Sequence, residues 1–171
     1  MRCCSAMEWE IENYFLEHPT DLGIEKWVAR QFHVPSGVID LLGVNSDPFG
    51  EMLYVVELKA ITIKSAALTQ VYKYATDIYD AISYHKNIDF SDVQKIVVGY
   101  GNPSYSLLIE ARAMGIRVYT YDILKKNGER FMKLSGPHKI LYSPERNQKM
   151  ERLANSKVIR ETYADRIDWR L

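Results

Sequence analysis

Residues 37–59, GVIDLLGVNSDPFGEMLYVVELK, decide the fold. Two short apolar runs, 38–44 and 52–58, read as buried strands, and the turn-rich NSDPFGE between them has hairpin length. Strand alternation puts Asp40 on one face with Val38 and Leu42, and puts Glu57 and Lys59 on one face with Leu53 and Val55. Hairpin pairing of the two runs would then bring Asp40 against Glu57 and Lys59. Charges embedded in apolar strands are costly unless they are paired or bound to a metal.

Outward from this hairpin, 7–18 reads as a helix stopped by Pro19, and 26–34 as a strand leading into the Pro35-Ser36-Gly37 turn. From 65 to about 85 the apolar period changes to 3.6, with Leu68, Val71, Tyr72, Ala75, Ile78, Tyr79 and Ile82 on one broad face. A strand at 93–100, a helix to about Met114 and a strand at 116–123 follow. The order αβββαβαβ predicts an α/β fold, a central mixed sheet flanked by helices. Residues 1–124 are expected to form the core, and 125–171 a basic segment, a loop and a polar helix around 145–162, packed on or extending that core.

Two carboxylates and a lysine at one point suit Mg²⁺, which takes oxygen ligands and commonly binds one or two carboxylates, waters and phosphate oxygens. Such an ion activates water and stabilises charge on a phosphate in flight. Lys59 could orient that water or offset developing negative charge, and would be a base only with a strongly lowered pKa. The same three residues could instead form a structural ion pair between strands, and that reading stays open at this point.

Gly37-Val38-Ile39-Asp40, then Val55-Val56-Glu57-Leu58-Lys59, then Gln70-Val71-Tyr72-Lys73-Tyr74 resembles the PD-(D/E)XK nuclease superfamily in its RecB-like branch. With the leading segment 8–19, the pattern is similar to the nuclease domain of NucS-type endonucleases over about residues 8–120. The resemblance implies a restriction-endonuclease-like core and a Mg²⁺-dependent deoxyribonuclease in which Mn²⁺ can substitute. It implies Asp40, Glu57, the backbone carbonyl of Leu58 and Glu12 as metal ligands, with Glu8 one turn before Glu12. It further implies Lys59 and Gln70 as catalytic, and Lys73 and Tyr74 as contacts to DNA. Gln70, Lys73, Tyr74 and Asp77 share one helical strip, read as polar and opposite the apolar face. Ile39 stands immediately before Asp40, where the superfamily name has proline. NucS-type enzymes carry a DNA-binding domain ahead of the core, which is not expected here, so mismatch specificity is not carried over. A non-catalytic DNA-binding or assembly module with this fold, and a homodimeric junction resolvase, are the competing readings.

Composition adds limits rather than identity. The 171 residues suffice for one compact domain, and the 22 basic and 22 acidic side chains cancel. The cancellation hides an asymmetry, because 1–124 carries 10 Lys+Arg against 16 Asp+Glu, and 125–171 carries 12 against 6. Cys3 and Cys4 are the only cysteines, too few for a disulfide framework or a zinc site, which points to a reducing cytoplasmic compartment. No apolar run has the ~20 residues of a membrane span, so no membrane partner is expected. His18, His33, His85 and His138 have no metal-ligand spacing, and Gly99-Tyr100-Gly101 lacks the third glycine of a dinucleotide loop.

Overall fold

A computed structural model describes residues 7–48, 50–83, 90–127 and 129–138. The expected hairpin is present. Gly37–Asp47 (β2) pairs antiparallel with Gly50–Leu58 (β3), with Leu41 opposite Val56 and Asp47 opposite Gly50. Both strands run further into the turn than the sequence suggested, so the connection is tighter than the seven-residue linker expected from NSDPFGE. On its other edge, β2 pairs antiparallel with Lys26–Val34 (β1).

Beyond β3 the helix Ser65–Ser83 (α2) leads to the strand Phe90–Tyr100 (β4), and the helix Tyr105–Ala113 (α3) leads to Ile116–Lys126 (β5). The β3–β4 and β4–β5 pairs are parallel. Both crossovers move the same way across the sheet and therefore lay α2 and α3 on one face. A sixth strand, Glu129–Ser135 (β6), pairs antiparallel with β5, and the sheet order is β1-β2-β3-β4-β5-β6. This revises the expected division after residue 124, because Lys125 and Lys126 finish β5 and part of the basic segment is sheet rather than loop. The pairing supplies what periodicity could not: Met132 and Leu134 of β6 pack on the core beside Ile123. The helix expected around 145–162 lies outside the described residues.

The sheet is covered on both faces, which is why its central strands read as continuous apolar runs. On one face α2 and α3 bury Leu68, Val71, Tyr74, Ile78, Leu107 and Ala111 against Ile39, Leu42, Val55, Val97 and Val118. On the other, the first helix, Glu8–Glu17 (α1), and the 3-10 turn Pro19–Leu22 bury Ile11, Phe15 and Leu22 against Leu41, Tyr54, Val56, Leu58, Val98 and Tyr121. No helix among the described residues is long and apolar enough to cross a membrane.

Candidate active site

The sheet forks where the three charges meet. β2 remains paired with β1 down to Val34–Gly37, but its pairing with β3 ends at Leu41–Val56. Strand alternation breaks at the same place. Ile39 and Leu42 pack on the α2 face, whereas Leu41 between them packs on the α1 face, so the simple period-two placement of Asp40 with Val38 and Leu42 does not carry through. The end of β3 thus loses the neighbour that would have taken its backbone groups. The Leu58 N–H donates instead to Asp40 Oδ2 at 2.7 Å. The next peptide is fixed from the opposite side, where the Lys59 N–H donates to the Val98 carbonyl at 2.9 Å. In a trans peptide the C=O points opposite to the N–H, so the Leu58 carbonyl is turned away from β4 and toward the fork.

Glu57 is the most costly residue in this fork. It is 1% exposed, and its Oε2 is the one buried side-chain polar atom among the described residues without a hydrogen-bond partner. Its Oε1 accepts a hydrogen bond from Lys59 Nζ. Burial, and then the charge of Asp40, push the Glu57 carboxyl up to about 7. Burial also raises Asp40, against the opposing pull of the Leu58 N–H, the Lys59 charge and the Gln31 amide. Lys59 loses some preference for its charged form through burial. The hydrogen bond to Glu57 and the charges of Glu57, Asp40 and Glu8 outweigh that and hold it above the usual lysine range. Both ends of the ion pair are raised, which disfavours the charge on Glu57 and favours it on Lys59, because Lys59 is a quarter exposed while Glu57 is sealed and faces a second carboxylate. The charged ammonium of Lys59 is therefore favoured over the free amine.

The first helix supplies the rim. Glu8 and Glu12 sit one turn apart on α1, and the charge of Glu8 bears on Asp40, Glu57 and Lys59 alike. Glu12 is buried and engaged: Arg30 Nε lies 3.1 Å and Gln31 Nε2 3.3 Å from its Oε1. Gln31 Nε2 also lies 3.3 Å from Asp40 Oδ1, so Glu12 meets Asp40 through an amide. Among the described residues no three His, Cys, Asp or Glu side chains gather as a metal cage. Arg30 and Gln31 were not legible as site residues, because nothing in their type or spacing distinguishes them within a strand.

The α2 residues take positions other than those expected. Tyr74 is buried in the core and cannot offer its ring to a nucleic acid; its hydroxyl accepts from Gln70 Nε2 at 2.7 Å. Gln70 forms no hydrogen bond to Asp40, Glu57 or Lys59 among the described residues. The Gly of Gly-x-x-Asp is explained by the same tyrosine: a Cβ at Gly37 would fall 2.6 Å from the Tyr74 hydroxyl oxygen, and its φ is +148°. Asp77 accepts the Ser36 N–H at 2.8 Å and ties α2 to the β1–β2 turn. The strip from Gln70 to Asp77 is therefore a clamp on the β1–β2 turn, with Lys73 alone exposed on it.

The donor set fits a hard divalent cation. Asp40, the orphaned Glu57 Oε2 and the inward-turned Leu58 carbonyl are all oxygens, and Mg²⁺ needs no more than one or two carboxylates when water completes its shell.

No family model matches the chain, and no curated protein does. Solved structures do. The EndoMS–dsDNA2 complex matches with a TM-score of 0.55 at 20% identity, over 74% of this chain and 48% of that one. A repair endonuclease from Pyrococcus abyssi matches with a TM-score of 0.53 at 19% identity, over 69% of this chain and 48% of that one. The fold is theirs. The chain spans about half the length of both neighbours.

Proposed function

We propose that the protein is a metal-dependent nuclease that hydrolyses phosphodiester bonds of DNA at the β2–β3 fork. The observation that carries this reading is the buried, unpartnered Glu57 Oε2 beside Asp40, a pair of acids with only one lysine between them. The shared fold supports it: one neighbour is a repair endonuclease and the other was solved with dsDNA. Asp40, Glu57 and the Leu58 carbonyl would hold Mg²⁺ or Mn²⁺, which when bound supplies an activated water and stabilises charge on the scissile phosphate.

The remaining work falls to the chain's own groups. Lys59 Nζ, charged and fixed by Glu57, donates to the attacked phosphate or to the entering water and offsets the charge that develops on phosphate oxygens. The Leu58 N–H on Oδ2 and the Gln31 amide on Oδ1 hold the Asp40 carboxylate, and each oxygen keeps a further lone pair for a cation. Glu8 keeps the rim acidic and favours cation entry, while the charge of Glu12 is met by Arg30. Gln70 acts through Tyr74 by fixing the clamp on the turn that carries Gly37 and Asp40.

A cleavage panel tests the proposal: single-stranded, duplex, flapped, mismatched and four-way DNA with Mg²⁺ or Mn²⁺, using wild type, Asp40→Ala and Lys59→Ala. The expected result is metal-dependent cutting of at least one substrate, lowered at least 10²-fold in either variant. Cutting by both variants at the wild-type rate would refute the mechanism. Failure of wild type on every substrate, with no divalent binding, would favour a non-catalytic module.

A further inference from the structure

Two non-glycine residues among those described have positive φ. Asn127, at +54°, sits in the β5–β6 turn, where asparagine tolerates a left-handed backbone. Gln31, at +49°, sits inside β1, where no turn demands it. The pairs on either side, Arg30–Leu41 and Phe32–Ile39, keep one register, so Gln31 is not an extra residue bulged out of the ladder and stands opposite Asp40. A left-handed conformation crowds the Cβ against the following carbonyl oxygen and is unfavourable for any residue but glycine. Strain of this kind persists where the surroundings or the function require it.

What it achieves at Gln31 is the side-chain position. The Nε2 amide lies 3.3 Å from Asp40 Oδ1 and 3.3 Å from Glu12 Oε1, bridging two acids that have no direct bond. With the Leu58 N–H on Oδ2 at 2.7 Å, the Asp40 carboxylate is gripped at both oxygens, from β1 on one side and β3 on the other. A primary amide donates two hydrogens without adding charge. An arginine or lysine at this place would donate equally well but would cancel the negative potential that draws in a cation. Arg30, the charged neighbour, binds Glu12 and is half exposed.

We infer that Gln31 is a positioning residue: its amide, anchored on Glu12, presets Asp40 for a divalent cation, and the left-handed backbone aims it there. The inference rests on the metal-site reading above and adds to it an uncharged support. Supports of this kind around metal ligands typically change metal affinity or activity 10–100-fold when removed.

Gln31→Gly separates function from folding, because glycine accepts φ near +50° without strain while losing the amide. Gln31→Asn keeps an amide and tolerates the backbone but is one methylene shorter. Mn²⁺ binding by calorimetry and melting temperature in EDTA are measured for both, with Asp40→Ala as reference. The expected result is a Gln31→Gly melting temperature in EDTA at or above wild type, together with Mn²⁺ affinity at least tenfold weaker, and a similar affinity loss in Gln31→Asn. Mn²⁺ affinity within twofold of wild type in either variant, while Asp40→Ala abolishes binding, overturns the inference and leaves the metal site standing. Undiminished binding in Asp40→Ala overturns both. A fall in the Gln31→Gly melting temperature in EDTA also overturns it, since the amide would then serve the fold.

Discussion

Replacing Glu57 by glutamine should make the metal-free protein more stable, and only at high pH. The Glu57 carboxyl moves from its ordinary 4.5 to about 7 on folding, through burial and the neighbouring Asp40 charge. At about 1.4 kcal/mol for each tenfold change in proton affinity, ionising it in the fold costs about 3 kcal/mol relative to the unfolded chain. The side chain is 1% exposed, so solvent screening does not reduce this figure. The sign follows from the protons. Below 4.5 both states hold the proton, and the group is neutral in its effect. Between 4.5 and 7 the native state keeps a proton that the unfolded state has released, and stability falls as pH rises. Above 7 the full cost is present. Glutamine never ionises, so Glu57→Gln should raise the melting temperature in EDTA by about 6–12 °C at pH 8.5, at ~2–4 °C per kcal/mol for a domain of this size, and by almost nothing at pH 4. Thermal denaturation at the two pH values measures the difference directly. An equal gain at both, or a loss at pH 8.5, would falsify the account of Glu57 as a buried acid forced to ionise.

The same proton links metal to pH: Mn²⁺ affinity should rise about tenfold per pH unit toward 7 and flatten above it, with one proton released, as calorimetry in buffers of different ionisation enthalpy would detect. Gly37→Ala should cost about 1–3 kcal/mol, since its Cβ meets the Tyr74 hydroxyl and its φ is unsuitable. In the double variant with Tyr74→Phe part of that loss should be recovered, and strictly additive melting shifts would remove the clamp as the reason for the glycine. In the β5–β6 hairpin Lys125 lies directly opposite Arg130, a like-charge pair that costs stability and suits a polyanion. Lys125→Glu should therefore raise the melting temperature slightly while weakening metal-independent DNA binding about threefold or more in low salt. Unchanged affinity would take this hairpin out of the DNA-binding surface. Charge reversal is preferable to deleting the chain after Lys125, which would strip β6 from the sheet.

How legible this was depends on whether a feature is local. The β2–β3 hairpin and α2 follow from apolar period alone, and the acids sit where Asp and Glu-x-Lys interrupt it. Non-local features were hidden. β6, with only Met132 and Leu134 turned inward, carries too little apolar signal to separate from a polar loop until β5 lies beside it. Tyr74 reads equally well as a surface or a core residue, because its hydroxyl is satisfied by Gln70 four residues earlier, and its burial depends on the absence of a Cβ at Gly37. Gln31 depends on a backbone dihedral, which residue type does not encode. Helical spacing put Gln70, Tyr74 and Asp77 on one strip, but the strip does not lie opposite the apolar face: Tyr74 is in the core and Asp77 meets the β1–β2 turn.

The ion-pair reading of Asp40, Glu57 and Lys59 can now be weighed on charge. Lys59 and Glu57 alone would be a neutral, hydrogen-bonded pair, and a fold needing only a strut would stop there. Adding Asp40 leaves one excess negative charge in the fork, and Glu8 adds its field from the rim. The consequences are visible: both carboxyls are raised, a buried carboxylate oxygen has no partner, and alternation in β2 is broken to bring Asp40 to the end of β3. Each of these opposes folding, and no contact among the described residues compensates for the unpartnered oxygen. A divalent cation would relieve all the electrostatic terms together, restoring charge balance and giving that oxygen a partner. The zero net charge of the whole chain therefore says nothing about its partners, because the imbalance that matters is confined to a few ångströms of the sheet.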